Sequence, residues 1–168
     1  RVTDGLTLMI DAGATMMEFA RALAMSGKAV TVLTNSLQVA MILGSSDAVR
    51  VIMTPGDYLN AEAALTGTAT CDFLRMFNVD ACFLGASALD ETGVTEAIAG
   101  FAEVKRTMLA QSRTGHFLID GSKFGKRHLT QVIALDEMGC LITDIAPTGA
   151  LDAALDCHRT PTILPNQG

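Results

Sequence analysis

The sequence predicts an α/β fold, a single domain with a mainly parallel sheet and helices on both faces, on three observations. Six short apolar runs, at residues 6–10, 29–33, 49–53, 80–84, 116–119 and 141–142, each lead into a polar or glycine-containing loop. Unbroken runs of that length mark strands covered on both sides, as in parallel sheets. Between them lie stretches with apolar residues at three- and four-residue spacing, which crossover helices require. The chain has 168 residues, 49% of them hydrophobic, enough for one core that hides about 70% of the unfolded surface.

The first strand, 6–10, runs into Asp11-Ala12-Gly13-Ala14-Thr15 and then a helix with Met16, Phe19, Ala20 and Leu23 on its inner stripe, closed by Gly27. The second, 29–33, is followed by Asn35 or Ser36 as a helix cap, with Leu37, Ala40 and Met41 as the apolar positions and Gly44 and Ser45 as the stop. After the third strand, 49–53, residues 60–78 read as mainly helical, with Gly67 and Thr68 weakening the middle. The strand at 80–84 leads to a polar stretch, 90–100, whose length suits a binding loop. A helix over 99–112 turns Phe101, Val104, Met108 and Leu109 to the core and Glu103, Lys105 and Arg106 elsewhere. The strand at 116–119, short apolar runs near Val132 and Leu141, a helix near 151–155 and a strand at 162–164 complete the chain. Met16, Met17, Met25 and Met41 read as core filler.

A net charge of −6 and a pI near 4.9 oppose nonspecific binding to nucleic acid, which needs a basic face. The one basic cluster, Lys123, Lys126 and Arg127, suits a small anion better than a duplex. No apolar run approaches the ~18 residues of a membrane span, and no secretory leader opens the sequence. Of the four cysteines, Cys82 and Cys140 sit in strand-like runs and read as small buried hydrophobes. No Cys-x-x-Cys and no ligand-spaced histidine point to a metal, so neither metal nor cofactor is expected. Reduced thiols without a leader fit a cytoplasmic protein.

The loops beyond the strands carry the chemistry. Gly13 bares backbone N–H groups at a helix start, Thr15 adds a hydroxyl, and the helix N-terminus attracts an anion. A capped helix start of no further use has the same pattern, as does Thr34-Asn35-Ser36. Lys123, in Asp120-Gly121-Ser122-Lys123-Phe124-Gly125, either offers an ammonium to a phosphate or is a solvated turn lysine. Glu103 and Lys105, two apart, cannot share a helix face, so one would face a site and the other solvent. His116 reads as a strand histidine, and His128 stands near the lysine cluster. No Gly-x-Ser-x-Gly or other nucleophilic arrangement is present.

Taken in order, Asp11-Ala-Gly-Ala-Thr15, Thr34-Asn35-Ser36, Asp80-Ala-Cys-Phe-Leu-Gly85, Gly93-Val-Thr95, Glu103-Val-Lys-Arg106, Asp120-Gly-Ser-Lys-Phe-Gly125 and Thr143-Asp144 resemble the effector-sensing domain of DeoR-type bacterial transcriptional regulators. The resemblance runs from about Gly5 to Asp144. It implies a sensor of 1–168 whose parent carries an N-terminal winged helix-turn-helix outside this chain and represses sugar or polyol catabolism. It also implies a ribose-5-phosphate isomerase-like fold, a phosphosugar ligand, assembly as a homo-oligomer, and operator DNA as a partner only through the N-terminal domain. The ligand contacts expected on this basis are Asp11, Gly13, Ala14, Thr15, Asn35, Ser36, Gly85, Ala86, Gly93, Thr95, Glu103 and Lys123. Glu103 falls where the isomerase has its general base. Gly85-Ala-Ser-Ala88 stands where the isomerase carries paired acids, and Thr54-Pro55-Gly56 where the regulators commonly show a double glycine. No catalysis is therefore expected. A sugar-phosphate isomerase or deaminase and an oligomerisation domain without ligand are the alternative readings.

Overall fold

The computed structural model describes residues 2–165. In chain order come β1 (Thr7–Ile10), α1 (Ala14–Met25), β2 (Val30–Thr34), α2 (Leu37–Leu43) and β3 (Val49–Met53). A hairpin of β4 (Asp57–Leu59) and β5 (Ala64–Thr66) precedes α3 (Thr68–Leu74) and β6 (Val79–Leu84). A second hairpin, β7 (Ala88–Asp90) and β8 (Gly93–Glu96), precedes α4 (Ala99–Ala110) and β9 (Ser112–Leu118). β10 (Thr130–Ala134), β11 (Cys140–Ile142), α5 (Gly149–His158) and β12 (Thr162–Ile163) follow.

Seven strands form one parallel sheet in the order β12-β11-β9-β6-β1-β2-β3. All six apolar runs of the sequence lie in it, and the 162–164 segment supplies its edge strand. Leu8 stands between Val32 and Ala81, and Met9 between Leu33 and Cys82, so apolar rows cross the sheet without a break. Successive residues of β1 feed opposite faces. Leu8 and Ile10 join the core under α1 and α2, with Met16, Leu23, Val39 and Leu43. Met9 joins the core under α3, α4 and α5, with Leu74, Val104, Met108, Phe117 and Leu151. Each such buried side chain contributes about 1.5–3 kcal/mol.

The α1 stripe lies as expected: Met16, Ala20 and Leu23 are buried, Phe19 packs on Phe83 with centroids 4.3 Å apart, and Gly27 takes φ 66° just past the helix end. Four expectations need correction. Residues 60–78 are not mainly helical: 64–66 pair with 57–59 as an antiparallel hairpin, and the helix begins only after Gly67. Residues 90–100 are not an open loop, because β7 and β8 pair with each other and β8 with β10. Gly93 permits that second pairing; at its φ of 136° a Cβ would run into the backbone of Ile133 and Ala134. In α2 the inner residues are Val39 and Leu43, while Leu37 and Met41 face outward. Met25 is exposed too, so of the supposed filler methionines only Met16 is fully buried.

The thiols of Cys71, Cys82 and Cys140 are buried, and burial pushes Cys82 up to about 11. No helix among the described residues is long and apolar enough to cross a membrane. No group of three or more His, Cys, Asp or Glu side chains among them could hold a metal ion.

Candidate functional site

The chain runs outward from β1 to β2 and β3 in one direction, then returns to place β6, β9, β11 and β12 on the other side. The order therefore reverses between β1 and β6. At such a point the loops leaving the two strands turn opposite ways and open a crevice beyond their carboxyl ends. A cavity of about 290 Å³ lies there. It is lined by the loop from β1 into α1, the loop from β6 into β7, the end of β8, the inner side of α4, and the turn after β9.

Part of the cavity lining offers hydrogen-bond donors and a cation. Gly13 is the N-cap of α1 with φ 117° and ψ 164°, a backbone form that side chains other than glycine rarely adopt. No side chain caps this helix, and its first turn carries no acid. Intrahelical bonding starts with the Met17 N–H, which donates to the Gly13 carbonyl at 3.1 Å, so the preceding N–H groups have no partner within the helix. The twelve-residue helix adds the positive end of its dipole. Lys123 also lines the cavity, from a 3-10 turn at Gly121–Lys123. That turn is fixed from both sides: the Gly121 N–H donates to Asp144 Oδ1 at 2.8 Å, and the Gly125 N–H to the Leu89 carbonyl at 2.9 Å. The Gly121 N–H holds the Asp144 carboxyl below its ordinary range. Asp120, beside Lys123, spends its Oδ1 on the Ser122 N–H and hydroxyl.

A buried ionic network forms another part of the lining. Lys105 Nζ donates to Asp11 Oδ2 and lies 3.3 Å from Glu96 Oε1. Burial opposes the ammonium, but the two carboxylates outweigh it and hold the Lys105 pKa above its usual value. Glu96 is tied further, accepting the Ser87 N–H at 3.1 Å on Oε1 and the Ser87 hydroxyl on Oε2. The Gly85 N–H points to Asp11 Oδ2 at 3.4 Å. Asp11 Oδ1 is buried and has no hydrogen-bond partner among the described residues.

Of the twelve expected contact residues, Asp11, Gly13, Ala14, Thr15, Gly85, Ala86 and Lys123 line this cavity. The other five lie elsewhere. Asn35 and Ser36 are buried but serve the fold: Asn35 exchanges bonds with Leu65 (Nδ2 to the carbonyl at 3.0 Å, and the Leu65 N–H back at 2.8 Å), while Ser36 Oγ caps α2 by accepting the Val39 N–H at 3.2 Å. Together they moor the β4–β5 hairpin, whose turn brings Glu62 to the cavity rim. Gly93 serves the β8–β10 pairing, and Thr95 Oγ1 accepts the His128 N–H at 2.9 Å. Glu103 faces solvent on α4, ion-paired with Arg75 at 3.4 Å and Arg106 at 2.9 Å. The basic cluster disperses as well: Lys126 donates to the Ser122 carbonyl and Arg127 pairs with Asp90 at 2.7 Å. His116 is a strand histidine stacked 5.0 Å from Phe83, its pKa lowered by burial.

Sequence reasoning left Lys105 open as the alternative to Glu103 and then chose Glu103, and it missed Glu96 and Ser87 as lining residues. A signal for Lys105 was present, since it lies four residues after Phe101 and three before Met108, on the stripe that α4 buries. A lysine on an apolar stripe requires a buried counter-ion.

A model of the DeoR C-terminal sensor domain matches residues 1–145. The glycerol-3-phosphate regulon repressor of Escherichia coli is 29% identical over 160 residues, 95% of this chain and 63% of that protein. The HTH-type transcriptional regulator GlpR of Haloferax volcanii is 35% identical over 153 residues, 90% of this chain and 58% of its own. The HTH-type transcriptional repressor GlcR of Bacillus subtilis is 28% identical over 166 residues, 99% and 64% respectively. The chain spans about three-fifths of the length of these relatives. Among solved structures, ribose 5-phosphate isomerase A from Neisseria gonorrhoeae has a TM-score of 0.53 at 19% identity, covering 75% of this chain and 48% of that one. The eIF2B beta subunit of Chaetomium thermophilum has a TM-score of 0.57 at 15% identity, covering 94% and 49%. At these identities the likeness is one of fold, which is ribose-5-phosphate isomerase-like.

Proposed function

Because this chain belongs to the family of DeoR C-terminal sensor domains, we propose that its cavity binds a phosphorylated sugar or polyol as the effector of a transcriptional repressor. The observation that carries this reading is the pairing, across one small cavity at the switch point, of an uncapped α1 N-terminus with Lys123, whose ammonium has no ion-pair partner among the described residues. Free backbone N–H groups and a point charge on a fixed turn are what a phosphate requires. The remainder of the parent protein, with a winged helix-turn-helix N-terminal to this domain, would read operator DNA as a homo-oligomer. The curated relatives, named as repressors and HTH-type transcriptional regulators, support the DNA-reading part of that arrangement. Repression of a sugar or polyol regulon is the matching role, in the cytoplasm.

The enzymatic alternative has less support. Glu103, the base that it calls for, is turned to solvent among arginines. The acids that do reach the cavity, Asp11 and Glu96, are both engaged by a protonated Lys105. A general base must reach the proton that it removes and be free to take it.

A thermal-shift panel tests the reading. A sugar or polyol phosphate at about a hundred times its dissociation constant should add roughly 2.7 kcal/mol. The unphosphorylated parents should add nothing measurable. A broad phosphosugar panel without any shift at millimolar concentration would remove the sensor reading.

A further inference from the structure

Resting on the phosphate reading above, we infer that Glu62 reads the non-phosphate part of the ligand, accepting hydrogen bonds from its hydroxyls. Four carboxylates line the cavity: Asp11, Glu62, Glu96 and Asp120. Three are engaged by the protein itself. Asp11 and Glu96 are buried and share the Lys105 ammonium, and Asp120 holds the Ser122 N–H and hydroxyl. Glu62 differs on both counts: it is exposed at the rim, and its carboxylate has no hydrogen-bond or ion-pair partner among the described residues. A ligand in the cavity can therefore reach it.

The backbone presents this carboxylate on a fixed turn. Ala63, the next residue, takes φ 47°, a left-handed form that is strained for an alanine and persists only where its surroundings impose it. Here they do. The Ala63 carbonyl accepts the Leu37 N–H at 3.0 Å, Ala64 bridges to Ser36, and Leu65 exchanges bonds with Asn35. Three successive residues thus hold the turn to the start of α2, and the backbone that carries Glu62 has little freedom left to lose on binding. A free carboxylate works against a site that takes phosphate alone, because it repels the anion. Beside a hydroxylated ligand it has a use. A carboxylate is an acceptor with two oxygens, so it can take hydroxyls from two neighbouring carbons, and those bonds are charge-assisted. The ligand class that this favours is a phosphate monoester whose carbon chain carries adjacent hydroxyls.

Calorimetric titration of the whole domain tests this with glycerol 3-phosphate, ribose 5-phosphate, glucose 6-phosphate and inorganic phosphate, on the wild type and on Glu62→Ala. The variant removes an exposed side chain and should melt with the wild type. The sugar or polyol phosphate that binds the wild type should bind the variant at least about fivefold more weakly. Inorganic phosphate, measured by its competition with that compound, should keep its affinity or gain, since it loses only a repulsion. The opposite signs separate hydroxyl recognition from a general change in charge. Unchanged or tighter binding of the sugar or polyol phosphate overturns the inference and leaves the phosphate site standing, and so does an equal loss for inorganic phosphate. Failure of every phosphate compound on the wild type overturns both.

Discussion

Lys105 is an ammonium placed where the helix stripe calls for a leucine, and its burial makes two carboxylates depend on it. Lys105→Met keeps the stem and the packing but leaves Asp11 and Glu96 buried without a counter-ion. Breaking such a pair from one side costs about 3–5 kcal/mol. The urea midpoint of the variant should fall accordingly, and a midpoint near that of the wild type would mean that the network is open to solvent. Lys123 and Lys126, three residues apart, give the opposite contrast. Lys123→Ala should weaken phosphosugar binding by about 1.5–3 kcal/mol, the range for a charge-assisted hydrogen bond. Lys126→Ala, which removes only an exposed bond to the Ser122 carbonyl, should cost no more than a few tenths. Titration of the two variants separates them, and equal losses would move the anion site.

At the scale of elements, the loop from β1 into α1 does two jobs within five residues: it supplies Asp11 to the ionic network and Gly13 to the helix start. A Cβ at Gly13 would meet nothing within 4 Å, so Gly13→Ala tests backbone form alone. Holding alanine at φ 117° costs about 1–3 kcal/mol. The variant should melt lower and also bind phosphosugar more weakly, because relief of the strain turns the N–H groups away. Unchanged melting and binding would show that the loop does not depend on that conformation. This loop was legible in the sequence, as were the strands of the main sheet, because unbroken apolar runs and a glycine at a helix start carry their signal locally. The two hairpins were not. Strands of three residues, such as 57–59 and 88–90, are too short to display a period, and β8 pairs as well with β10, 34 to 41 residues away. Asn35, Ser36 and Thr95 fall outside the cavity lining for a related reason: polar residues at strand ends look alike whether they face a ligand or fasten a neighbouring hairpin.

For the molecule as a whole, the two halves of the sheet are fastened at the base of β1 and β6. Asp80 Oδ2 accepts the Thr7 N–H and hydroxyl, both at 2.9 Å, and Arg113 lies 3.1 Å from Oδ1. The Thr7 bonds, then Arg113, hold the Asp80 pKa below its ordinary value. With the folded pKa depressed, this contribution is complete above the unfolded value of about 3.9 and is lost as pH falls through the folded one. Asp80→Asn should therefore melt below the wild type near neutrality, and the gap should close in acid. A gap that is constant with pH would mean that the amide replaces the carboxylate in full. The same fastening has a consequence for how the chain is made. β1, interior in the finished sheet, emerges well before its partner β6, which lies about seventy residues later. Until β6 emerges, β1 is the bare edge of a three-stranded parallel sheet, apolar on both faces and open to pairing with other chains. The Asp11–Lys105 contact, 94 residues apart in sequence, closes later still. The nascent chain thus holds an apolar edge open until β6 is made, and the cavity is among the last parts of the domain to form.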